Sequence, residues 1–231
     1  MIPWIAAGVS AAAGLALGPF LAQAVRAEVP TVRVPPAWLA ALTALLFGAV
    51  ALAVTSQPEA WGAGDTPVAA LAVMLAFQWA AAWGLLLAVV DAVTHRLPNR
   101  IVLPGYAVVA FLLAAATVAA GAADALLRAA AAGAALFGFF AVVRALGPGG
   151  MGGGDVKLAG VLGALLGWLG VSTLVTGVLA MFLGAGLFGI VLMSTGRAGR
   201  RTALPFGPWM IGGTWAAIAL GAVFGDASVP F

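Results

Sequence analysis

The sequence predicts an all-α fold: a polytopic membrane helical bundle of about eight transmembrane segments with both termini outside. Three observations predict it. Of 231 residues, 64% are hydrophobic and only 7% are charged, where a soluble domain carries about 25% charged residues. The mean hydropathy is +1.16, so lipid is the main solvent. Apolar runs near the roughly 20 residues that a bilayer core requires occur at 2–25, 38–55, 67–91, 101–122, 125–146, 171–194 and 206–224. A shorter apolar piece lies at 156–167. Finally, of the ten basic residues all but Arg128 fall in alternate loops if 156–167 counts as a crossing. The positive-inside rule assigns those loops to the cytoplasm. Counting 156–167 as re-entrant would give seven segments and lose the alternation.

In chain order, the run at 2–25 has no basic region before it and contains a Gly-Pro, so it reads as a retained span and not as a cleaved signal peptide. Together with 38–55 it forms an N-terminal two-span region, 1–66, bounded by a loop with Glu59 and Asp65. Residues 67–231 form the second unit. Its loops carry Arg96 and Arg100, then Asp124 and Arg128, then Arg144 and Lys157, and last Arg197, Arg200 and Arg201. The 32 glycines and the alanine tracts read as close helix–helix packing. The chain has no cysteine, which excludes a disulfide framework, a thiolate metal site and a cysteine nucleophile. A pI near 10.6 could suggest nucleic acid, but basic residues spread over short membrane loops argue against it.

Ionisable groups at the edges of spans are costly and mark candidate sites. Asp91 ends the third span and Asp155 opens the sixth, both on the side assigned to the cytoplasm, so the two carboxylates could meet. Two carboxylates that share a confined site cannot both ionise easily. One serves as general base on water while the protonated one polarises a scissile carbonyl. The bland alternative is that each Asp caps a helix or pairs with Arg96 or Lys157. A transporter would use the same pair to relay protons or hold a cation, but at mid-membrane depth.

The surrounding stretches weigh on this choice. They are DAVTHRLPN at 91–99, GGGDVKLA at 152–159 followed by GALLGW at 163–168, and LPFGP at 204–208. In these the chain resembles the type IV prepilin peptidase family, the GxGD-type membrane aspartic endopeptidases, over about 67–225. The resemblance implies that Asp91 and Asp155 are the catalytic pair and that Gly152, Gly154, Lys157, Pro98 and Asn99 shape the site. It also implies a prepilin or pseudopilin substrate that loses a basic leader at the cytoplasmic face of the cell membrane, in service of a pilus or a secretion system. In the first third, GLALGPFLA at 14–22 and LTALLF at 42–47 resemble the family less completely. Bifunctional members carry a zinc-binding loop with two Cys-x-x-Cys pairs there. Here the loop is short and lacks cysteine, so neither methyl transfer nor metal nor any cofactor is expected.

Other residues have plainer readings. The glycines from Gly147 to Gly154 lack the Gly-Lys-Ser/Thr of a phosphate loop. They read instead as allowing close approach to Asp155 and a hinge, or as a linker. His95 is the one histidine and reads as a loop residue at the membrane surface. Lys157, two residues past Asp155, points off that residue's helix face, as a topology anchor or as a group that tunes the pair. Pro98 and Asn99 turn the chain into the fourth span. Trp168 and Trp209 read as interfacial belt residues. Asp65, Asp124 and Asp226 are expected outside and solvated. The arginines Arg197, Arg200 and Arg201 fix orientation.

Overall fold

A computed structural model describes residues 3–147, 151–196 and 204–224. The readings made of Arg197, Arg200, Arg201, Asp226 and residues 148–150 lie outside the described residues. Eight helices follow in order: α1 (Pro3–Glu28), α2 (Pro36–Ser56), α3 (Pro67–Thr94), α4 (Asn99–Ala120), α5 (Ala123–Leu146), α6 (Gly153–Leu169), α7 (Val171–Ser194) and α8 (Gly207–Phe224). Among the described residues there is no strand. Six helices, α1 to α5 and α7, are long and apolar enough to cross a membrane, and α8 is a shorter apolar helix.

Local chemistry sets the boundaries. Pro36 and Pro67 open α2 and α3, where a missing N–H costs nothing because the first turn has no acceptor for it. His95 ends α3 and Gly121 ends α4, both in the left-handed region. A single residue, Gly170, joins α6 to α7 at φ 148°.

Consecutive helices pair as α1–α2, α3–α4, α5–α6 and α7–α8, and further contacts from α3 and α6 to α8 and from α4 to α6 draw the later pairs together. The short helix α6 is the centre of that packing. Every residue of it is buried or half-buried, so it is apolar nearly all round, as helices shielded by other helices are. By contrast α7 buries only Thr173, Gly177 and Met181 and leaves large apolar side chains such as Leu183 and Leu187 outward. The glycines at the α5–α6 seam permit backbone contact. A Cβ on Gly163 would lie 2.8 Å from the Ala132 carbonyl, and one on Gly133 would lie 2.9 Å from the Gly160 carbonyl.

One reading of the sequence needs correction here. Trp168 is not a belt residue but a core one, 1% exposed, whose indole N–H donates to the Trp61 carbonyl at 2.8 Å. Trp209 is half-buried against Phe188. Arg128, the exception to the charge alternation, donates from Nε and Nη2 to the carbonyls of Gly167 and Trp168, each at 3.0 Å. Its charge therefore answers the open carbonyl end of α6 and is poor evidence about topology. Asp65 and Asp124 are exposed, as expected.

Candidate active site

Asp91 lies in the last turn of α3 and Asp155 in the first turn of α6. Both are buried, at 4% and 8% exposure. Both line one open pocket of 390 Å³, walled by the α3–α4 connector from His95 to Asn99 and by Gly152, Gly153 and Gly154.

Each carboxylate is held at a helix N-terminus, where backbone N–H groups lack helical acceptors. Asp91 Oδ2 accepts the N–H of Gly207, the first residue of α8, at 2.9 Å. Asp155 Oδ2 accepts the N–H of Gly152 at 3.1 Å. The capping alternative thus takes a modified form. Gly152, not Asp155, is the N-cap of α6, and Asp155 at N3 makes the return half of a capping box. The ion-pair alternative fails: among the described residues the one salt bridge joins Arg100 to Glu28.

The remaining predicted residues surround this pair. Pro98 is the N-cap of α4 and Asn99 its first residue, as the turn reading expects. Asn99 Oδ1 accepts a hydrogen bond from Lys157 Nζ at 2.7 Å, so Lys157 braces the connector. The Tyr106 hydroxyl donates to the Lys157 carbonyl at 2.7 Å. Gly154 packs where a Cβ would collide with Leu97 of the connector, so α6 starts against the α3–α4 turn. Gly152 lines the pocket.

A family model now bears on the arrangement: that of the type IV leader peptidase family matches residues 79–194. The chain belongs to that family. The matched stretch runs from the middle of α3 to the end of α7 and contains Asp91 and Asp155. A Bacillus subtilis (strain 168) relative, "Prepilin leader peptidase/N-methyltransferase", is 33% identical over 147 residues, covering 64% of this chain and 54% of the relative. The chain thus spans about half the length of that relative. No solved structure matches the chain.

Four residues around this leader-peptidase-family site carry no site role in the sequence reading. Gly207 supplies a backbone donor to Asp91, and its motif, LPFGP, could have pointed there. Phe206 beside it packs at a tilt against Phe140 and Phe182 at ring centroid distances of 5.8 and 5.4 Å, which anchors the start of α8. His95, read as a plain loop residue, lines the pocket with φ 52°. Its left-handed backbone closes α3 and leads directly into the connector. Glu28, paired with Arg100, ties the end of α1 to the start of α4.

Proposed function

We propose that the protein is a membrane aspartic endopeptidase that removes the basic leader from type IV prepilins or prepilin-like proteins at the cytoplasmic membrane face. The observation that carries the reading is the placing of two buried carboxylates, Asp91 and Asp155, in one open pocket at helix ends. In such a site one carboxylate takes a proton from the attacking water. The other, protonated, hydrogen-bonds the scissile carbonyl and then passes a proton toward the leaving amine. Family membership supports the choice of reaction. A transporter would need the pair near the midplane, whereas both lie within about a turn of a helix end. Residues 67–231 form the catalytic core in this reading. Gly152, Gly154, Lys157, Pro98 and Asn99 keep the pair in register without touching the reacting atoms. The direct test is co-expression with a candidate prepilin, where a leader-sized mobility shift is expected and an unshifted substrate would count against the reading.

The chemistry uses no metal and no methyl donor in this proposal, because the chain has no cysteine and one histidine. Cleavage is therefore expected to persist in EDTA, and pilin processed in the presence of S-adenosylmethionine to keep an unmethylated N-terminus. Zinc-restorable loss of cleavage, or a methylated product, would overturn this.

The proposed orientation puts the connector at Asn99 and the end of α5 in the cytoplasm. With no native cysteine to interfere, Asn99→Cys and Gly147→Cys should resist an impermeant thiol reagent added to intact cells. Ala60→Cys, between α2 and α3, should label. The reverse pattern would invert the topology.

A further inference from the structure

Between α4 and α5, which make few contacts with each other, lies a second cavity, a groove of 510 Å³ floored by Gly160, Val161 and Ala164 of α6. Its walls are apolar, with Leu103 and Ala110 on α4 and Ala134 and Phe137 on α5. These wall residues are exposed at the bundle's outer surface. The volume falls within the roughly 300–1,000 Å³ of ligand pockets. Among the described residues its one charged lining side chain is Lys157.

We infer that this groove holds the apolar helix of the leader-bearing substrate during cleavage; the inference rests on the function proposed above. Two observations select this occupant. The first is continuity: Lys157 lines the groove while its ammonium holds Asn99, which lines the pocket containing Asp91 and Asp155. A peptide leaving the carboxylate pocket toward the membrane therefore meets the groove next. The second is charge. The lone ammonium stands between pocket and groove, so it repels a basic leader and admits an uncharged segment, which fixes the direction in which the substrate lies. From Lys157 to Ala164 the floor rises about 10 Å, enough for about two turns of a docked helix. Burial of those turns against apolar walls supplies binding energy away from the reacting bond.

The test is photo-crosslinking in membranes, with a benzophenone carried on a single cysteine at Ala130→Cys or Ala134→Cys. Leu183→Cys and Leu187→Cys on α7 serve as lipid-facing controls. An Asp155→Asn background holds the substrate uncleaved. Substrate adducts should form at the two α5 positions well above the α7 controls. Equal yields at all four positions, or lipid adducts alone at the α5 positions, would overturn the inference. In the active enzyme, Ala134→Phe should raise KM by about tenfold while lowering kcat much less, the signature of lost binding that is common to ground and transition states. An unchanged KM would count against the groove. Failure of the unmodified protein to cleave any prepilin would sink the proposed function instead, and so the two failures are separable.

Discussion

Asparagine at either Asp91 or Asp155 is expected to abolish leader cleavage, by at least about 10³-fold given what general acid–base groups contribute. The change is isosteric. An amide oxygen still accepts the Gly207 N–H at position 91 or the Gly152 N–H at position 155. The structural work of each side chain is therefore kept, at a cost under about 1 kcal/mol on the precedent of Asp and Asn at helix caps. What the amide cannot do is take a proton from water or return one to the leaving amine. Because the two groups act as a unit, the double variant should be scarcely worse than either single one. Asp65→Asn and Asp124→Asn, both exposed, should cleave normally. Prepilin processing measured beside thermal stability decides the matter. Near-normal turnover in either variant rules out the aspartic mechanism, and loss of cleavage that tracks loss of folding assigns that residue to structure.

The second large effect is expected at Gly154. A methyl group there would run into Leu97, with the Leu97 carbonyl oxygen only 2.9 Å from the new carbon. The obstacles are the Leu97 Cβ, which is fixed to its backbone, and the backbone itself, so neither partner can turn aside. Gly154→Ala must push the start of α6 away from the α3–α4 connector, and Asp155 moves with it. Overpacking of this kind costs about 1–3 kcal/mol. A displacement near 1 Å at a reacting group can cost about 10²-fold in rate, so activity should fall by about that much even where the protein still folds. The neighbouring glycines provide the contrast. A Cβ on Gly153 would meet the far end of the Arg144 side chain, and one on Gly152 would lie 3.1 Å from Asp155 Oδ2. Gly153→Ala should retain most of the activity, whereas Gly152→Ala, which crowds Asp155 Oδ2, should fall between the two. If all three alanine variants behave alike, the steric account of this stretch is wrong.

How much was legible beforehand follows from the kind of signal each feature leaves. The long spans leave a strong one: the apolar runs coincide with α1 to α5, α7 and α8 to within a few residues. The start of α6 is harder. The apolar run begins at Val156, whereas the helix begins at Gly153, because glycines carry no hydropathy signal and the capping bond from Gly152 to Asp155 is invisible to a window average. That shift moves Asp155 from N-cap to N3. The two carboxylates could be picked out because charge is costly at the edge of a span. The donor to Asp91 leaves only an indirect mark, the LPFGP motif, because Gly207 acts through its backbone and lies 116 positions away in sequence. Trp168 misled because a tryptophan near a span end has an ordinary interfacial role, and only the packing shows that its indole is used inside the protein.

The enclosure of α6 bears on biogenesis. The helix is short, carries Asp155 and Lys157 in its first turns, and has no residue in the exposed class. Inserted alone, such a segment would leave Asp155 and Lys157 without protein partners at its membrane edge, where a charge costs less than the roughly 2.5–3.5 kcal/mol of the bilayer centre. Its glycines fit against the backbone of α5, so membrane entry and tertiary packing are expected to be linked for this part of the chain. The two carboxylates come to share a pocket only when α3 and α6 have packed, so the pair is a product of assembly and not of any single segment.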